Sequence, residues 1–171
     1  MPTQRDQALA TVRSALESTG LEWRAETPTR LSVDLPGERK RQTTTTLDVG
    51  EHSLRVSAFV VRHPDENHAG MHAWLLERNA RLGGIAFSID PVGDVYLLGR
   101  LPLACVTQDE VDALLGQVLD AADSSFNTLL ELGFSTSIRA EWEWRLSRGE
   151  STANLAAFEH LRPSGASPPS D

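Results

Sequence analysis

Residues 67–103, NHAGMHAWLLERNARLGGIAFSIDPVGDVYLLGRLPL, decide the fold of this chain. The first half reads as an amphipathic helix. Pro64, Asp65 and Glu66 open it, where carboxylates favour the helix dipole, and it runs to about Leu82 before Gly83-Gly84 end it. Ile85, Phe87 and Ile89 then alternate as a strand. Asp90-Pro91-Val92-Gly93-Asp94 turns the chain, and residues 95–98 begin the returning strand. A helix feeding directly into a hairpin defines an architecture while supplying almost no catalytic chemistry.

Upstream of that stretch, a helix is expected over Gln4–Thr19. Thr3 and Asp6 cap its start, Gly20 stops it, and Ala8, Leu9, Val12, Ala15 and Leu16 follow the helical period. Leu31, Val33 and Leu35 alternate with Arg30, Ser32 and Asp34 as a half-buried strand. A turn at Pro36-Gly37-Glu38-Arg39 leads to a threonine-rich strand, Gln42–Val49, and Gly50-Glu51 leads to a third, residues 52–62. Downstream, Thr107 and Glu110 match a capping box for a long helix. Its stripe of Val111, Leu114, Leu115, Val118, Leu119, Ala122, Phe126, Leu129 and Leu130 reaches almost to Gly133, about 39 Å at 1.5 Å per residue.

The order is thus α-β-β-β-α-β-β-α, an α+β fold with an antiparallel five-stranded sheet and helices packed on one face. Residues 1–161 are expected to form a single domain. Within it, 134–161 make a C-terminal appendage of short helices, near 138–148 and 152–161. The Pro/Ser tail 162–171 has too little apolar content to order itself. Without alternating βαβ units, a doubly wound nucleotide-binding fold is excluded.

Composition narrows the function classes. The chain has 171 residues and a formal net charge of −8, which disfavours contact with nucleic acid or anionic lipid. No apolar run reaches the roughly 18 residues of a membrane span, and the start MPTQRDQALA lacks the apolar core of a signal peptide. The single cysteine, Cys105, fits a reducing compartment, so the expected localisation is cytoplasmic. Its apolar setting after Leu101-Pro102-Leu103-Ala104 suggests an inert core thiol.

The helix with Leu-Leu-x-x-Asn, the Asp/Gly hairpin and the closing Leu-Pro-Leu together resemble the central segment of YbjN-domain proteins, which share their fold with type III secretion chaperones. GERK, FVVRHPDENH and EWEWRLSRGE extend the resemblance over most of residues 4–161. It implies a non-enzymatic, usually homodimeric module, chaperone-like or regulatory in a stress response, that binds a polypeptide partner and carries no cofactor. The helix 66–82 is then the candidate dimer element. For strand addition at an open sheet edge, the Thr43–Thr46 run is the suited strand.

Several residues carry sharper expectations. Asn79, on the face of Leu75, Leu76 and Leu82, needs hydrogen-bond partners, and with Gly83 and Gly84 it forms the expected joint between helix and hairpin. His68 and His72, four apart on a helix, share one face, and His63 or Asp65 could add a third ligand from the preceding loop. That set is the alternative reading, a small metal-binding hydrolase or metal sensor. Ala69, however, stands where zinc peptidases place their glutamate base. The basic run Arg39-Lys40-Arg41 reads as a solvated turn. Trp142, Trp144 and Arg148 are the candidate partner-binding residues, with Trp144 and Arg148 spaced to stack and one tryptophan expected to pack on the domain.

Overall fold

In the computed structural model, which describes residues 1–165, six strands form one antiparallel sheet in the order β1-β2-β3-β4-β6-β5. They are β1 (Trp23–Ala25), β2 (Arg30–Pro36), β3 (Gln42–Val49), β4 (Ser53–Val61), β5 (Ile85–Ile89) and β6 (Val95–Pro102). The three-residue β1 adds a sixth strand to the five expected. Residues 166–171 of the expected tail lie outside the described residues.

Helix α1 (Gln4–Thr19) starts at a reciprocal capping box between Thr3 and Asp6 and ends at Gly20, whose φ of 70° is left-handed. It buries Ala8, Val12, Ala15 and Leu16. Strand alternation points Leu31, Val33, Leu47, Val49, Leu54, Val56, Val95 and Leu97 at the same core, each 1% exposed or less. Helix α3 (Gln108–Arg148) crosses that inner face and packs on β2 through β6. Its Val111, Leu114, Leu115, Val118, Ala121, Ala122 and Leu129 complete the core. Among the described residues, no helix covers the other face of the sheet.

Three local expectations change. Helix α2 (His68–Asn79) starts after Asn67 and ends at Asn79, about a turn short at each end, and neither Gly83 nor Gly84 adopts positive φ. These glycines serve close approach instead. A Cβ on Gly84 would lie 3.1 Å from Leu114, and one on Gly99 only 3.0 Å from the Gly84 carbonyl. The freed Gly84 N–H donates to Gln117 Oε1 at 3.0 Å.

The second change concerns α3, which does not stop at Gly133 but kinks at Phe134 (φ −142°, ψ 21°) and continues to Arg148. The Gly133 carbonyl, unused by the helix, accepts the N–H groups of Asp65 and Glu66 at 3.0 and 3.2 Å. Glu66 in turn accepts from the Thr136 N–H at 2.7 Å and Thr136 Oγ1 at 3.1 Å. The acidic pair expected to start α2 therefore caps the second half of α3, where four backbone donors need partners. Arg62 lies 4.3 Å from the Phe134 ring and holds the Asp65 carboxyl below the usual carboxylate range by hydrogen bonding.

The third concerns the segment beyond the kink, which has a small core of its own. A 3₁₀ segment, Ala153–Leu161, folds back on α3 and buries Leu155, Phe158 and Leu161 around Trp142. None of these four belongs to the main cluster.

The open sheet face as candidate functional site

Strand register sorts the uncovered face into rows across the sheet. Arg30, Asp48, Arg55 and Arg100 stand opposite one another on β2, β3, β4 and β6. One step along, Arg24, Ser32, Thr46, Ser57, Leu98 and Ala86 cross all six strands. The next step pairs Asp34 with Thr44 and, further across, Phe59, Tyr96 and Ser88. A charged row, a small-residue row and an aromatic row thus follow from period-two alternation in strands far apart in sequence.

A hollow of about 790 Å³ lies over the first two rows, bounded by Gly83-Gly84 and floored by Leu98 and Gly99. Asp48 receives Arg30 at 3.2 Å and Arg55 at 3.7 Å. Phe59 and Tyr96 meet edge to face, with centroids 5.6 Å apart. Phe59 and Leu98 remain 39% and 44% exposed, so the face keeps apolar surface that no part of the described chain covers. Toward β1, the Thr44 hydroxyl holds the Asp34 carboxyl below its ordinary value, and the Ser32 hydroxyl together with Arg24 does the same for Glu26.

The sheet edges offer less. Strand β3 runs between β2 and β4, so the Thr43–Thr46 run has no free edge for strand addition, and Thr43 and Thr45 point into the core. The true edges are β1, three residues long, and β5. On β5, Asn79 Oδ1 accepts the Phe87 N–H at 2.7 Å, and Asn79 Nδ2 donates to the Phe87 carbonyl at 3.1 Å. The side-chain amide thereby takes the place a neighbouring strand would occupy at the middle of that edge.

The other singled-out residues fall elsewhere. Trp142 is 1% exposed and donates its indole N–H to the Phe158 carbonyl at 3.1 Å, a packing role rather than a surface one. Trp144 is 46% exposed, with Arg148 stacked 5.1 Å from its ring. The His63 and His68 rings sit 5.0 Å apart, yet among the described residues no three His, Cys, Asp or Glu side chains gather as a metal site. Cys105 is exposed rather than core, because the short 3₁₀ turn Leu103–Cys105 buries Leu103 instead. The basic turn keeps Arg39 and Arg41 exposed, as a solvated turn should, but its backbone and Lys40 are docked. Asp123 Oδ1 accepts the Arg39 and Lys40 N–H groups at 2.8 and 2.9 Å, and Lys40 Nζ lies 5.7 Å from Phe59 and 5.3 Å from Phe126. Burial there lowers the ammonium pKa. No helix among the described residues is long and apolar enough to cross a membrane.

An antiparallel sheet with helices on one face and the other left open is the architecture of type III secretion chaperones. The chain is similar to the Yersinia pestis type III secretion chaperone SycH, solved in complex with a stable fragment of YscM2. The TM-score is 0.50 at 16% identity, over 68% of this chain and 98% of that one. A chain of the ExsC-ExsE complex gives a TM-score of 0.53 at 18% identity, over 75% of this chain and 97% of that one.

The YbjN family model, described as "Putative bacterial sensory transduction regulator", matches residues 8–131, and the chain belongs to the YbjN family. It is 55% identical over 157 residues to "Uncharacterized protein Rv0487" of Mycobacterium tuberculosis H37Rv, covering 89% of this chain and 86% of that protein. With "Uncharacterized protein ML2442" of Mycobacterium leprae it shares 59% over 132 residues, 77% of this chain and 72% of that protein. The kink at Phe134 and the Trp142 unit lie past the end of the family match.

Proposed function

We propose that this protein is a non-catalytic polypeptide-binding module whose contact surface is the open sheet face. The observation that carries this reading is the uncovered face itself, with Phe59, Tyr96 and Leu98 presented beside the hollow over Thr46, Ser57 and Gly99. Solved structures of this fold, SycH in complex with a fragment of YscM2 and the ExsC-ExsE complex, support it by analogy. The face is favoured over the edges because β1 is short and β5 is blocked by Asn79. Affinity capture from a bacterial lysate tests the reading. Leu98→Asp, at a half-exposed position, is expected to leave thermal unfolding unchanged and to lose proteins that the wild-type chain retains. Retention of the same proteins by the variant would remove the sheet face from the reading. Trp144→Ala, run in parallel, tests Trp144 and Arg148 as a second contact.

The same proposal includes a cytoplasmic homodimer built on α2, and a regulatory role in a stress response. Leu76 supports the dimer. It projects from α2 at 71% exposure beside the exposed Ala69 and Ala73, while Met71 and Leu75 of the same helix are buried. Light scattering is expected to give twice the 18.7 kDa chain mass, and Leu76→Glu to return it to one chain without loss of stability. A wild-type mass of one chain would sink the dimer.

A further inference from the structure

We infer that the arginine row of the open face docks an acidic peptide segment. This inference rests on the polypeptide-binding reading and names the chemistry of the partner. The chain carries a formal charge of −8, with 16 basic residues against 24 acidic. Yet Arg30, Arg55 and Arg100 line one hollow with a single carboxylate, Asp48. Local sign and global sign are opposed.

The arrangement within the row is the stronger argument. Arg55 and Arg100 stand directly opposite each other across β4 and β6, a like-charge pairing that destabilises a sheet. Asp48 bonds Arg30 more closely than Arg55, and Arg100 makes no ion pair among the described residues. A carboxylate laid between the two guanidinium groups relieves that repulsion and accepts forked, charge-assisted hydrogen bonds. Extended peptide places alternate side chains on one face about 7 Å apart. That lies between the roughly 5 Å separating adjacent β4 and β6 and the roughly 10 Å between β2 and β4, so flexible guanidinium groups of the row can meet acidic residues at alternate positions. Ser57 and Ala86 keep the floor low enough for a backbone to approach, and Leu98, 44% exposed, offers a contact for an apolar neighbour.

Charge also selects a peptide over nucleic acid. A polyanion of many phosphates meets the repulsion of the whole acidic chain, whereas a short acidic stretch meets only the hollow. Asp34 and Glu26 on the same face reinforce that limit, since they leave no basic stripe beyond the row.

Fluorescence anisotropy on the full chain tests this. The probe is a labelled peptide alternating glutamate with leucine, beside its lysine–leucine counterpart. The glutamate peptide is expected to bind saturably, roughly tenfold more weakly to the Arg55→Gln/Arg100→Gln double variant and more weakly again when salt is raised. The lysine peptide is expected not to bind. Both arginines are exposed, so circular dichroism of the variant should match wild type. Equal binding by the double variant, no saturable binding by wild type, or stronger binding of a single-stranded RNA probe would each overturn the inference. If Leu98→Asp abolishes client capture while the arginine variant captures normally, the polypeptide-binding reading stands and the acidic partner falls.

Discussion

Replacing Trp142 by alanine is expected to unfold the C-terminal unit while leaving the six-stranded sheet folded. Trp142 is among the largest fully buried side chains, and its neighbours Leu155, Phe158 and Leu161 form a core separate from the main one. Truncating a buried tryptophan costs about 3–5 kcal/mol through lost burial and the cavity left behind. The Phe158 carbonyl also loses its indole donor. A unit resting on one such residue has little in reserve. What would still tie it to the domain is the half-buried Ile138, which packs on the main core, and exposed polar contacts: Glu66 to Thr136, Asp65 to Ser137, and His160 to Glu131. Exposed contacts of that kind are worth about 1 kcal/mol or less each. Hydrogen exchange read by mass spectrometry checks the prediction. Amides of 138–148 and 153–161 should exchange rapidly in the variant while those of β3, β4 and β6 keep their protection. Equal loss of protection in the sheet would mean that domain and appendage unfold as one.

The parts of this fold that are legible in the sequence are those whose signal is local. Alternation in residues 31–35 and 85–89 names strands without outside help, and the Thr3–Asp6 box names a helix start. Strand β1 is invisible because three residues, Trp23 to Ala25, hold no period to detect. The fate of Asp65 and Glu66 is invisible for a different reason. Acidic residues ahead of a helical pattern look like its cap, yet their N–H groups are spent on Gly133 and their carboxylates reach Thr136 and Ser137, about 70 positions away in sequence. The threonine run misleads in the same manner. Its composition suits an edge, but edge position is a property of strand order, and order places β3 in the interior. The candidate site lies wholly in this second category. Arg30 reads only as an outward strand residue in sequence, Asp48, Arg55 and Arg100 carry no local signal, and the four become a row through the register of four strands. Asn79 stands between the two cases: its need for partners is readable from the helix face it occupies, but the identity of those partners is not.

Substitution of Asn79 by alanine is expected to destabilise the protein and to open the β5 edge to another chain. In an antiparallel ladder, residues alternate between aiming their N–H and C=O at the partner strand and away from it. Asn79 engages both groups of Phe87, so Phe87 faces away from β6, and Ile85 and Ile89 share its orientation. Alanine leaves the donor and acceptor at the centre of this edge without partners, a cost of about 1–3 kcal/mol. Asn79→Asp separates the two bonds. It keeps an acceptor for the Phe87 N–H but sets a second carboxylate oxygen against the Phe87 carbonyl, so it should recover only part of the loss. The larger consequence is association, because Ile85, Phe87 and Ile89 then present three successive outward backbone positions in an apolar strand. Denaturant unfolding should show the loss of stability. Light scattering over hours at raised concentration should show growth of large species in Asn79→Ala and not in wild type. A variant that unfolds at the wild-type midpoint and stays dispersed would show that solvent satisfies Phe87 as well as the amide does, and that β5 is protected by something other than Asn79.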